Sequence, residues 1–146
     1  MKSSKRNTQT FLLDTNVFIA AIKAPKKKTK TLQLILTLIE REDIYLVGDE
    51  FQAEELIRYA EEFRSETATA IIGALFDKME LVDVGENFIK ICKNYMRTPN
   101  LADILHAACC LKTDCVLITN DKHFNRIRDE GIIKVWSVSK AIKELL

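Results

Sequence analysis

Short apolar runs alternate with stretches of helical periodicity along the whole chain. The runs at 10–14, 44–47, 81–84, 116–119 and 132–136 predict five strands. Between them, apolar residues recur three and four positions apart, which predicts helices. Such alternation is typical of right-handed βαβ units around a parallel sheet. The pattern therefore predicts an α/β fold: one three-layer α/β/α domain with a central parallel sheet of about five strands.

The predicted helices fill the gaps between the predicted strands. They cover 16–23, 31–41, 50–64, 68–76, 87–96, 101–112, 122–129 and 137–146. Pro25 and Pro99 interrupt the helical pattern, so loops are expected around both. Neither an internal repeat nor a linker is visible. The prediction is a single domain over 1–146, with a basic and flexible N-terminal tail at 1–9.

Composition places the chain among ordinary globular domains. Of 146 residues, 47% are hydrophobic and 29% charged, which excludes disordered and collagen-like chains. No run approaches the roughly 18 apolar residues of a membrane span, and no signal-peptide cleavage site follows the basic start. We therefore expect a cytoplasmic protein without a membrane partner. The four cysteines form no CxxC pair and are expected to be buried free thiols.

Charge is distributed unevenly, although the net charge is only +1. Residues 1–30 contain eight Lys or Arg residues and one acid, Asp14. The basic residues cluster at Lys2, Lys5 and Arg6, and again at 26–30. Such clusters are either solvated surface or contacts to nucleic-acid phosphates, and composition alone leaves both open.

Acidic residues follow the predicted strands at the positions where α/β sheets bind ligands. Asp14 ends the first strand, and Asp121 follows the fourth. Glycine-rich phosphate loops are absent there, which argues against nucleotide cofactors. Both residues are also suitable helix N-caps, and Asp103 also suits the first turn of its helix. Glu54 and Glu55 also suit a solvated helix face.

Taken together, these acids suggest a metal site. If the first and fourth strands are neighbours, Asp14 and Asp121 converge, and two like charges are unfavourable there without a cation. Asp103 and Glu55 lie on helices that flank those strands. Four converging carboxylates suit a hard cation such as Mg²⁺ or Mn²⁺.

Four segments resemble one known family. They are LLDTNVFIAAI at 12–22, EEL at 54–56, LADILHAA at 101–108 and LITNDKHF at 117–124. In order and spacing these segments are similar to the PIN-domain nucleases, which include the VapC-type toxins of toxin–antitoxin systems. The resemblance spans essentially the whole chain. It implies that the first and fourth strands lie side by side.

The resemblance also implies functional residues and partners. The family's acids map onto Asp14, Glu55, Asp103 and Asp121, which would bind one or two Mg²⁺ or Mn²⁺ ions as metal ligands and catalytic residues. Glu54 is the alternative to Glu55. Asn16 and Thr119 match positions that support the site through hydrogen bonds. Expected partners are an RNA substrate, an antitoxin protein and a second copy in a homodimer.

The predicted function is metal-dependent endoribonuclease activity, that is, phosphodiester hydrolysis, in a toxin of a toxin–antitoxin pair. Candidate contacts to the RNA backbone are Lys26, Lys27, Lys28, Lys122 and Arg126. One alternative is a catalytically weak PIN domain that binds RNA or acts as a scaffold. Another is a phosphotransfer enzyme, although a dehalogenase-type phosphatase requires an aspartate where this chain has Asn16. His106 and His123 lie near the acids in sequence and are expected to be a helix residue and a surface residue.

Overall fold

The central sheet has the predicted all-parallel architecture. A computed structural model describes residues 9–23, 29–97 and 100–146. Its strands are β1 (Gln9–Leu13), β2 (Ile44–Gly48), β3 (Met79–Leu81), β4 (Val116–Ile118) and β5 (Lys134–Trp136). They pair in the order β3-β2-β1-β4-β5, all in parallel. The first and fourth strands are neighbours at the centre of the sheet.

Helices connect the strands and begin at polar caps. They are α1 (Thr15–Ile22), α2 (Lys30–Glu40), α3 (Glu50–Glu62), α4 (Glu66–Lys78), α5 (Glu86–Lys93), α6 (Leu101–Thr113), α7 (Asn125–Asp129) and α8 (Val138–Leu145), with a 3₁₀ turn at Lys122–Phe124. Side chains accept hydrogen bonds from first-turn amides at Asp14, Thr29, Asp49, Ser65, Asn100, Asp121 and Ser137. Each such cap stabilises its helix by about 1 kcal/mol.

Two apolar cores cover the two faces of the sheet. Successive residues of a strand point to opposite faces, so Phe11 and Leu13 of β1 enter one core and Leu12 enters the other. The first core packs against α1 to α4 and α8, and the second against α5 to α7. Fully burying one residue such as Phe11 contributes roughly 2–3 kcal/mol. The result is the predicted three-layer α/β/α arrangement.

The third strand differs from its prediction. The pattern placed it at 81–84, but Met79 to Leu81 pair with Leu46 to Gly48 of β2. The pairing with β2 sets the residues that form β3, and this pairing buries Met79 in the first core. Beyond the strand, the amide of Val82 still donates to the carbonyl of Gly48, at 2.8 Å. Apolar periodicity alone does not encode this long-range pairing.

Three further predictions concern the N-terminal tail, the cysteines and membrane-spanning helices. The predicted tail at 1–9 lies outside the described residues, apart from Gln9 in β1. All four cysteines are buried and free, and burial raises the pKa of the Cys92 thiol to about 11. In the described ranges, no helix is both long enough and apolar enough to cross a membrane.

Candidate functional site

Thr119 links two of the predicted acids where β1 and β4 end. Leu13 pairs with Ile118 in the sheet, so the residues that follow these strands lie side by side. The Asp14 amide donates to the Ile118 carbonyl at 3.0 Å. The Thr119 hydroxyl donates to Asp14 Oδ2 at 2.7 Å and accepts from the Asp121 amide at 3.0 Å. One hydroxyl therefore fixes both acidic segments relative to each other.

Asp14 serves as a helix cap and also faces a cleft. Its Oδ1 accepts from the Asn16 amide at 3.1 Å, and the residue is only 4% exposed. With Asn16, Thr119 and Asp121 it lines a cleft of about 340 Å³. Asn16 thus contributes its backbone amide to Asp14 and its exposed side chain to the cleft. The capping role and the site position belong to the same carboxylate.

Asp103, Asp121 and His123 form a compact cluster. Each offers one ligand atom, and these atoms all lie within 4.8 Å of one another. His123 Nδ1 is 3.1 Å from Asp103 Oδ2 and 3.2 Å from Asp121 Oδ1. An ionised carboxylate only accepts hydrogen bonds, so His123 donates to either acid only when Nδ1 carries the proton. Asp103 is buried in the first turn of α6, which is the helix position that the sequence predicted for it.

The electrostatics of Asp103 fit a cation site. Burial raises its pKa, and the charges of Asp121 and Asp14 raise it further. The hydrogen bond from His123 and the charge of His106 oppose this rise. The ionised form of Asp103 is thus disfavoured by the carboxylates beside it, and a bound cation would remove that penalty. Clustered carboxylate oxygens are the donors that Mg²⁺ and Mn²⁺ prefer. The residues present therefore fit a divalent metal ion.

Glu54 and Glu55, the two candidates for the second acid, differ in burial. Glu55 is half-buried, whereas Glu54 is exposed. Burial raises the pKa of Glu55, the charges of His106 and Arg58 oppose this, and those of Asp14 and Asp49 reinforce it. Its burial and its charged neighbours favour Glu55 over Glu54 as the second acid.

Asp49 and His106 form a buried pair next to the site, and sequence reasoning did not assign them a joint role. His106 Nδ1 donates to Asp49 Oδ2 at 2.6 Å, with side chains 3% and 1% exposed. Asp49 Oδ1 also accepts from the Gln52 amide at 2.9 Å. Burial lowers the pKa of His106, but the hydrogen bond and charge of Asp49, with the charges of Asp14 and Glu55, raise it on balance. The available signal was the position of Asp49, directly after a buried strand.

The predicted basic contacts are described only in part. Lys122 and Arg126 line a pocket that also includes His123, so both lie beside the acidic cluster. Lys26, Lys27 and Lys28 lie outside the described residues.

The fold and site define a class: doubly wound α/β proteins whose carboxylates converge beyond two adjacent central strands. Comparison with known families then identifies the chain. The family model described as the PIN domain matches residues 11–130, and the protein belongs to the PIN domain family. The resemblance in sequence is thereby confirmed.

Solved structures share this fold at low sequence identity. A chain in the structure of VapBC2 from Rickettsia felis bound to a promoter DNA fragment is 16% identical, with a TM-score of 0.65 over 88% of this chain and 98% of that one. A chain of VapBC-1 from nontypeable Haemophilus influenzae is 22% identical, with a TM-score of 0.62 over 90% of this chain and 99% of that one. A chain of FitAcB from Neisseria gonorrhoeae is 18% identical, with a TM-score of 0.59 over 88% of this chain and 98% of that one. No curated protein matches the sequence.

Proposed function

We propose that this protein is a Mg²⁺- or Mn²⁺-dependent endoribonuclease and the toxin of a toxin–antitoxin pair. The observation that carries the proposal is the convergence of buried or half-buried acids where β1 and β4 end. Thr119 holds Asp14 against the segment of Asp121, and Asp121 lies within the cluster that includes Asp103. A PIN domain implies nuclease activity in general. RNA as substrate and the metal requirement are the parts proposed here.

The four acids have distinct positions in the proposed mechanism. Asp14, Glu55, Asp103 and Asp121 would hold one or two ions. When bound, the metal supplies an activated water and neutralises charge on the phosphate. The side chain of Asp121 is 27% exposed, against 8% for Asp103, so we expect Asp121 rather than Asp103 to accept a hydrogen bond from the attacking water. Thr119 keeps Asp14 oriented, and no covalent nucleophile is required.

The surroundings of the site and the structural neighbours support an RNA substrate and a protein partner. Lys122 and Arg126 lie next to the acids and would neutralise backbone phosphates of RNA in the cytoplasm; Lys26, Lys27 and Lys28 remain predicted contacts. Several structural neighbours are VapBC assemblies. They support a partner of the antitoxin type for this protein as well. A homodimer stays a prediction from the family resemblance.

Cleavage of single-stranded RNA tests the proposal. Wild type, Asp14→Asn and Asp77→Asn are compared with Mn²⁺, with Mg²⁺ and with excess EDTA. Asp77 is exposed on α4, away from the site, so its variant controls for the loss of one carboxylate. We expect cleavage by wild type and Asp77→Asn with metal only, and none by Asp14→Asn. Calorimetry with Mn²⁺ supplies a readout independent of activity, in which Asp14→Asn binds more weakly than Asp77→Asn.

Other outcomes would reject the proposal. Cleavage that survives both EDTA and Asp14→Asn would come from a contaminant or from another mechanism. Salt-sensitive RNA binding without cleavage would favour the alternative, a catalytically weak PIN domain that binds RNA. For the toxin role, wild type is expected to arrest growth when expressed in a bacterial host, and Asp14→Asn is not.

A further inference from the structure

A basic pocket lies beside the acidic cluster. It has a volume of about 270 Å³ and is lined by Tyr95, Arg97, Lys122, His123, Asn125 and Arg126. Three of these side chains are permanent cations, and none is an acid. The neighbouring cleft is the reverse, with two acids, Asp14 and Asp121, and no cation among its lining residues. The net charge of the chain is only +1, yet basic and acidic side chains are separated around this one site. Such a separation favours a ligand that carries negative charge beside a cation.

The cations of this pocket are available to bind an anion. Within the described part of the chain, neither Arg97 nor Lys122 forms an ion pair. Arg126 Nε is 3.5 Å from Glu130 Oε2, and both side chains are about half exposed, so this pair is weak. Arg128, on the same helix, is instead paired with Asp129 at 3.0 Å and does not line the pocket.

His123 connects the pocket to the acids. It lines the pocket, and its Nδ1 contacts both Asp103 and Asp121. A nucleic-acid strand with one phosphate at the acids therefore brings a neighbouring phosphate to the pocket. The acids repel a polyanion, so cations placed just outside them raise the local concentration of substrate without occupying the metal ligands.

We propose that this pocket binds the backbone phosphate adjacent to the scissile one in single-stranded RNA, through Arg97, Lys122 and Arg126. The inference rests on the proposed function and adds Arg97 and Tyr95 to it. Tyr95 packs on the second core and is half-buried, so its ring is held in the pocket wall, where an unpaired base can stack on it. A base-paired strand offers no free base, and the pocket should therefore prefer single strands.

Salt-dependent RNA binding by the full-length protein tests the pocket. Anisotropy of a labelled single-stranded RNA is followed in EDTA between about 50 and 200 mM salt. The variants are Arg97→Gln, Lys122→Gln, Arg126→Gln and their triple combination, with Arg128→Gln as the matched control. Removing one phosphate-binding cation should reduce the slope of log affinity against log salt by about 0.7, and the triple variant should reduce it by about 2. Arg128→Gln should match wild type, and duplex RNA should compete less well than single strands.

Kinetics with metal provide the second readout. A backbone contact made equally in the ground and transition states changes KM rather than kcat. The triple variant should therefore raise KM on the order of tenfold with kcat little changed. Asp14→Asn separates the two proposals, since it should lose cleavage and keep the wild-type salt slope.

Two results would overturn the proposal that this pocket binds a backbone phosphate. One is a triple variant with the slope and KM of Arg128→Gln, while wild type still cleaves RNA; the proposed nuclease function would then stand alone. The other is wild-type RNA binding that does not depend on salt. If wild type binds RNA but does not cleave it, the proposed function fails, and a reduced slope in the triple variant would still support the pocket.

Discussion

The Asp49–His106 pair gives the sharpest test of how the site is supported. His106 is on α6, one turn after Asp103, and Asp49 caps α3, the helix that carries Glu55. The hydrogen bond between them, 2.6 Å long and fully buried, therefore joins the two helices that bring acids to the site. His106→Leu fills the space of the imidazole with an apolar side chain. The Asp49 carboxylate is then left with only the Gln52 amide among its described partners.

The cost follows from what remains buried. Breaking a buried charged pair by removing one partner destabilises a protein by about 3–5 kcal/mol, because the other charge is left without compensation. The free energy of unfolding of a domain is about 5–15 kcal/mol, so His106→Leu should remove a large part of the stability of this protein. His123→Leu is the control: its ring is 57% exposed, so the same change there should cost no more than about 1 kcal/mol.

The pair also predicts a pH dependence. The pKa of folded His106 is raised above its ordinary value of 6.5. The stabilisation that this shift represents is complete below the unfolded pKa and is lost as pH rises through the folded pKa. The stability advantage of wild type over His106→Leu should therefore shrink as pH increases above 6.5.

Urea unfolding measures both quantities for wild type, His106→Leu, Asp49→Ser and the double variant. Serine keeps an oxygen that can accept from the Gln52 amide in place of Asp49 Oδ1. The cycle therefore isolates the pair, and the double variant should cost less than the sum of the single variants. The reasoning would be refuted by a His106→Leu cost below about 1 kcal/mol. It would also be refuted by additive single variants, or by an advantage that grows with pH.

Two further predictions concern the second acid and the second strand. Glu55→Gln should reduce metal-dependent RNA cleavage by roughly 10- to 100-fold, whereas Glu54→Gln should not, because Glu55 is half-buried among the charges of the site and Glu54 is exposed. The reverse ranking in a cleavage assay would assign the role to Glu54. Gly48→Ala should destabilise the domain by about 1–3 kcal/mol in urea unfolding, since a Cβ there would lie 2.5 Å from two buried side-chain ends. Gly73→Ala is its control. A Cβ at Gly73 would meet nothing within 4 Å, and alanine suits a helix interior better by about 1 kcal/mol; equal effects of the two changes would show that crowding at Gly48 has no cost.

Local patterns predicted much of this molecule. Apolar runs indicated five strands, although the third lies earlier in the chain than predicted. The acids at strand ends indicated the edge where Asp14, Thr119 and Asp121 converge. The adjacency of β1 and β4 came from the family resemblance, because periodicity describes single elements and not their neighbours. Asp14 and Asp121 are helix caps as well as candidate site residues, so those two interpretations were never exclusive.

Contacts between distant segments could not be read in the same way. Asp49 and His106 are 57 positions apart, and nothing local to either residue indicates the other. His123 was expected on the surface, and it is 57% exposed. Its contacts with Asp103 and Asp121 nevertheless depend on the 3₁₀ turn that follows Asp121. Packing of α3 against α6 and the geometry of one short turn thus decide details that composition and spacing leave open.

The strand order has a consequence for synthesis of the protein. The hydrogen bond from Thr119 to Asp14 joins residues 105 positions apart, and Asp103 and Asp121 also come from the last third of the chain. During translation, at roughly 5–20 residues per second, β1 remains an edge strand until β4 emerges and inserts beside it. Pairings over such separations form late, because loop closure must be achieved before the contact stabilises anything. A chain that lacks β4 and the residues that follow it therefore has no assembled acidic site, and the proposed hydrolytic activity requires that segment.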